Sequence, residues 1–130
     1  MANMKIPVSN ILEASRGMAQ KQLYVVFTTP ANGLETVMRN VKEHLAFQVD
    51  LERRGIMFGA GPFWDDDEKH WSGDGMVIIR AESLAAARAI AEQDPMHRSG
   101  ARRFTVRPWL LNEGTLSVRV NFSDMKYHLE

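Results

Sequence analysis

Two strand-like segments in this chain are apolar on both faces, and that limits the folds able to bury them. In Gln22 to Thr29, Leu23, Val25 and Phe27 alternate with Tyr24, Val26 and Thr28, and Pro30 stops the run. Met76 to Arg80 behaves the same way. Each strand therefore needs cover on two sides.

The remaining segments say what supplies the cover. Asn32-Gly33 breaks the chain, and Leu34, Met38, Val41 and Leu45 then recur at helical spacing, predicting one long helix from Leu34 to Arg53 that stops at Gly55. Ile56 to Ala60 is a short strand leading into Gly61-Pro62. The polar loop Trp64 to Trp71 and the glycines Gly73 and Gly75 connect it to the Met76 strand as a long hairpin. Ser83 is a good N-cap for a helix from Leu84 to Gln93 with Leu84, Ala87, Ile90 and Ala91 on one face, ended by Asp94-Pro95. Phe104 to Trp109 and Leu116 to Phe122 read as two more strands. Before all of these, Asn10 and Glu13 form a capping-box pattern for a short terminal helix.

The central order, βαββαβ, is the ferredoxin-like α+β arrangement, an antiparallel sheet with two helices on one face. Three parts are expected: residues 1–21 as an N-terminal extension with a short helix, 22–122 as the ferredoxin-like domain, and 123–130 as a tail. Two helices leave the second sheet face bare, and a contiguous apolar patch there marks an interface. The expected partner is a second copy, sheet against sheet, as a homodimeric α+β barrel.

Composition narrows the chemistry. The chain has 130 residues with no cysteine, which excludes thiol nucleophiles, disulfides and Cys-ligated metals. Its 16 basic and 16 acidic side chains cancel, so no global field steers nucleic acid or an anionic membrane. Apolar runs such as Leu23 to Phe27 fall far short of the roughly 20 residues that span a bilayer. No charged-then-apolar leader opens the sequence, and a cytoplasmic location is expected. Asp65-Asp66-Asp67 lacks the spacing of a calcium loop, and the glycines form neither a dinucleotide fingerprint nor a P-loop. No metal and no cofactor are expected.

Four histidines then carry the acid–base possibilities. His44 lies at the edge of the apolar stripe of the long helix, either as a boundary histidine bonded to a loop or as a general acid or base facing a pocket. His70 reads as solvated, His97 as a turn-surface residue with approach to a pocket as the alternative, and His128 as part of the tail. Asp94 before Pro95 reads first as turn chemistry. Arg98, Arg102, Arg103 and Arg107 cluster around Ser99-Gly100. Without an interleaved aromatic signature they favour salt bridges over RNA binding, with an anionic-substrate role open for one of them.

The ordered set His44-Leu45, Leu51-Glu52-Arg53-Arg54-Gly55-Ile56, Gly61-Pro62 with Asp65-Asp66-Asp67, Ala81-Glu82-Ser83-Leu84, Ala91-Glu92-Gln93-Asp94-Pro95 and Val106-Arg107-Pro108-Trp109 resembles the YCII-related domain family over Leu23 to Trp109. The resemblance implies the same dimeric α+β barrel and pairs His44 with Asp94 as a His–Asp dyad. One characterised branch of that family removes chloride from a chlorinated hydroxyquinol-type ring. Between Gly73 and Met76, where some members carry Ser or Thr, this chain departs with Asp74-Gly75.

The expectation is a small cofactor-independent lyase or isomerase, dehydrochlorinase-like, acting on a cyclic or aromatic-derived metabolite. His44 and Asp94 would be catalytic, and Phe58, Gly61, Pro62, Trp64, Asp65, Met76, Pro95 and Trp109 would shape the substrate site. The alternative is a non-catalytic small-molecule-binding or interaction subunit using the same cavity, with His44–Asp94 as a structural hydrogen bond. An RNA-binding module is the third reading, and neither nucleic acid nor membrane is an expected partner.

Overall fold

A computed structural model describes residues 3–130. In chain order the elements are α1 (Val8–Ala14), β1 (Lys21–Pro30), α2 (Leu34–Arg39), α3 (Val41–Arg53), β2 (Met57–Pro62), β3 (Gly75–Ile79), α4 (Leu84–Glu92), α5 (Pro95–Arg98), β4 (Arg102–Leu111), β5 (Val118–Asn121) and β6 (Lys126–Leu129). Residues Gln22–Trp109 form one compact unit; residues 3–21 together with Leu110–Glu130 form another.

The larger unit carries a four-stranded sheet in the order β2-β3-β1-β4. β3 runs antiparallel to both neighbours, with Tyr24 opposite Ile79 and Val26 opposite Val77 on the β1 side. This is the split-βαβ order of a ferredoxin-like α+β fold. One sheet face contributes Tyr24, Val26, Val77, Ile79 and Val106 to a core closed by Ala87 and Ala91 of α4, with Leu84 and Ile90 packed against it. Ser83 caps α4 by accepting a hydrogen bond from the Ala86 amide. On the other face Leu23 and Val25 are buried, while Phe27 and Trp109 are each 39% exposed.

The single helix expected over Leu34–Arg53 is two helices. At Asn40 the backbone leaves helical geometry (φ −106°, ψ 1°). Its amide bonds to the Val37 carbonyl, and its side-chain Nδ2 donates to the Thr36 carbonyl at 2.8 Å. A side chain has taken the acceptor that helix continuation would have used. The buried face also differs from the stripe at Leu34, Met38 and Leu45, all of which are exposed. Val37, His44 and Leu51, seven residues apart, point inward instead. At the end of α3, Gly55 adopts φ 73° and the Ile56 amide bonds back to the Leu51 carbonyl, the closure for which a glycine is suited.

In the smaller unit α1 begins after Pro7, so Asn10 lies inside the helix and makes no capping box. Its end is secured by Ser15, whose hydroxyl donates to the Ile11 carbonyl. The C-terminal stretch expected as a tail supplies β6, which pairs antiparallel with β5, Val118 opposite Leu129 and Val120 opposite Tyr127. No helix among the described residues is long and apolar enough to cross a membrane.

Candidate functional site

His44 and Asp94, fifty residues apart in sequence, meet in the interior. The imidazole Nδ1 lies 2.9 Å from Oδ1 and 2.8 Å from Oδ2 of the carboxylate, and the residues are 8% and 5% exposed. Asp94 is placed by two local features. It caps α5, accepting the Met96 amide on Oδ1 at 2.9 Å, and Pro95 opens that helix at the position where proline is best tolerated. The turn chemistry read from Asp94-Pro95 and the pairing with His44 are therefore both present in one side chain. With Nδ1–H donating to a carboxylate, the neutral ring carries its free lone pair on Nε2.

His44 lines a partly open cavity of about 450 Å³ between α3 and the sheet, within the usual range for small-molecule sites. Val41, Leu45 and Gln48 complete its helical wall. Gly61, Pro62 and Met76 contribute from β2 and β3, and Trp64 and Trp71 from the loop between them. Asp74, Gly75 and Thr28 form the end nearest β1, with Met96 and Arg102 beside them.

Of the eight residues expected at the substrate site, the cavity brings together Gly61, Pro62, Trp64 and Met76. Phe58, Asp65, Pro95 and Trp109 are not among its lining. Phe58 is on β2 beneath the Arg80 guanidinium. Asp65 closes its own loop, its amide bonded to the His70 carbonyl and its carboxylate to Ser72. Pro95 follows the dyad aspartate without reaching the space. Trp109 borders a separate groove with Val25, Phe27 and Ile78, because residues two apart on a strand share a face and this is the other face.

The loop is built to hold Trp71 at the cavity. The Asp74 carbonyl accepts both the Trp71 indole N–H, at 2.9 Å, and the Phe63 amide, at 3.0 Å. The Asp74 carboxylate accepts the Thr29 hydroxyl. Gly73 makes this path possible, with φ 103° and so close an approach to Pro30 and Leu34 that a Cβ would collide with both. Asp67, in the same loop, is held below the usual carboxylate range by hydrogen bonding to the exposed His70. Among the described residues no group of His, Asp and Glu is arranged to hold a metal ion.

Three polar side chains near the dyad were not singled out by the sequence as site residues. Thr28 supplies a buried hydroxyl at the cavity end, 2.8 Å from Nε2 of His97. The other nitrogen of His97 donates to the Ala91 carbonyl at 2.7 Å, so the neutral ring accepts from Thr28. Burial holds the His97 pKa below 6.5. Alternation along β1 was the available signal, since Thr28 falls on the Tyr24–Val26 face. Arg102 alone of the arginine cluster turns inward, 7% exposed, while Arg98, Arg103 and Arg107 are exposed.

Comparison with known proteins supplies an independent line. No curated protein matches the chain. The fold matches 5-chloro-2-hydroxyhydroquinone dehydrochlorinase from Burkholderia phenoliruptrix AC1100, solved in complex with 2,5-dihydroxybenzoquinone, with a TM-score of 0.54 and 25% identity. The match covers 67% of this chain and 92% of the other. The YCII-related domain model matches residues 22–110, the whole of the larger unit, and the chain belongs to the YCII-related domain family.

Proposed function

We propose that this protein is a small cofactor-independent lyase or isomerase of the dehydrochlorinase kind, acting on a cyclic or aromatic-derived compound. The observation that carries the reading is the His44–Asp94 pair on the wall of a cavity large enough for a single ring. Nε2 of His44 takes a proton from a ring hydroxyl or carbon. The electron pair released expels a leaving group such as chloride, or relocates a double bond, and the imidazolium returns the proton to product or water. Asp94 fixes the ring orientation and offsets the positive charge that develops on it, a general acid–base contribution of about 10²- to 10⁴-fold. Trp64, Trp71 and Met76 present apolar surface to the ring.

The solved dehydrochlorinase supports the reaction class, and the opening of the cavity onto His44 favours chemistry over a purely structural pair. Two copies, packed through the sheet face that bears Phe27 and Trp109, are part of the same proposal. Chloride release from a panel of chlorinated hydroxyquinols tests the reaction. The expected result is turnover by the wild type that falls at least 100-fold in His44→Gln. Equal turnover by the two proteins on a released substrate sinks the reading.

A further inference from the structure

A buried guanidinium without an ion-pair partner is costly, because charge removed from water needs compensation. Arg102 is such a group. It is 7% exposed and sits in the cavity wall. Its Nε makes no hydrogen bond, and among the described residues no carboxylate lies within ion-pair distance of it. The two acids that act on it from further off, Asp94 and Asp74, are already engaged, one by His44 and the Met96 amide, the other by Thr29. Desolvation lowers the guanidinium pKa from its ordinary value, the sign of a cation that its surroundings do not fully compensate.

We propose that the cavity is selective for anionic single-ring compounds, with the Arg102 guanidinium as the counter-charge for a carboxylate or ring oxyanion of the ligand. The proposal names the substrate class of the site described above and rests on reading that cavity as the substrate site. Arg102 lies over the Trp71 ring, 5.8 Å from its centroid, and that contact positions the planar fork beside an aromatic wall. A flat ligand lying along the tryptophans therefore presents its edge oxygen to the guanidinium. No other lysine or arginine lines this cavity, so the preference for negative charge is assigned to one residue. The arrangement also suits the proposed reaction. A cation in the cavity wall favours the deprotonated substrate, and His44 handles the proton.

Benzoate and benzamide, nearly identical in shape and differing in charge, test this by calorimetric titration of the full chain. Wild-type protein is expected to bind benzoate roughly 10- to 100-fold more tightly than benzamide, the range for a hydrogen-bonded charged pair. Arg102→Met is expected to remove that preference. His44→Gln is expected to keep it, so a failure of the proton-transfer reading leaves this result standing and the reverse also holds. Equal affinity of the wild type for the two probes overturns the proposal, even if Arg102→Met does not fold. An unchanged preference in folded Arg102→Met overturns it as well.

Discussion

Asp94 uses one carboxylate for two jobs: it holds the Nδ1–H of His44 and caps the helix that begins at Pro95. The two can be separated by Asp94→Asn. An asparagine oxygen still accepts the Met96 amide, whereas its NH₂ can turn towards Nδ1 and select the opposite tautomer, leaving Nε2 protonated and unable to act as a base. The expected outcome is a kcat lower by about 10²- to 10⁴-fold with KM changed little and the thermal midpoint nearly retained. A variant that turns over at the wild-type rate sinks the role assigned to the pair.

Thr28 and His97 form a second polar pair, with Thr28 buried at the cavity and His97 half-buried behind it. Thr28→Val preserves shape and removes the hydroxyl that Nε2 of His97 accepts from. Leaving that nitrogen unpaired is expected to lower stability by about 1–3 kcal/mol in urea unfolding. The same imidazole gives the fold a pH dependence of known sign. Its folded pKa is depressed, chiefly by burial, below the 6.5 of an unperturbed histidine, so the unfolded chain binds the proton first as pH falls. This contribution is complete above about pH 6.5 and is lost as pH drops through that value towards the folded pKa. Urea midpoints at pH 7.5 and 5.5 are expected to differ less in His97→Gln than in the wild type. An equal or larger difference in the variant contradicts the assignment.

The order of elements was legible because strand and helix signals in Gln22–Trp109 agree with local propensity. Ser83 capping α4 and the face formed by Ala87 and Ala91 follow directly from spacing. What failed depended on contacts that spacing does not encode. Asn40 interrupts a helix because its side chain reaches the Thr36 carbonyl, and a polar residue in a helical pattern does not announce that choice. The shift of the buried stripe to Val37, His44 and Leu51 comes with that break. At the site, the pairing of His44 with Asp94 came from a family pattern, since nothing local links residues so far apart. Trp109 and Thr28 show the limit most plainly. Thr28 borders the cavity, whereas Trp109 lines the groove on the outer face of the sheet.

Gly73 is a point at which the loop geometry can be broken without touching the chemistry. Its φ of 103° disfavours any side chain, and a Cβ would strike Pro30 and Leu34, the residues at the end of β1 and the start of α2. Gly73→Ala is expected to cost roughly 1–3 kcal/mol in denaturant unfolding. Because Trp71 and Asp74 lie within two residues of the glycine and border the cavity, weaker ligand binding is expected to accompany the loss. Wild-type stability in this variant means that the turn can relax and that the glycine is not what fixes Trp71.

The proposed dimer rests on the outer face of the sheet. Phe27, Met76, Ile78 and Trp109 surround a groove of about 320 Å³ on that face, and Phe27 and Trp109 remain 39% exposed in the single chain. An apolar surface of this kind is a poor match for water, and a second sheet packed face to face would cover it. Sedimentation equilibrium at micromolar concentration is expected to give twice the 14.7 kDa chain mass. Phe27→Lys, which places a charge in the middle of the contact, is expected to give the monomer mass while the far-ultraviolet circular dichroism stays that of the wild type. A wild-type mass of one chain overturns the face-to-face dimer. A dimer that survives Phe27→Lys with unchanged affinity moves the contact to another surface, since a buried lysine without a partner costs several kcal/mol at an interface.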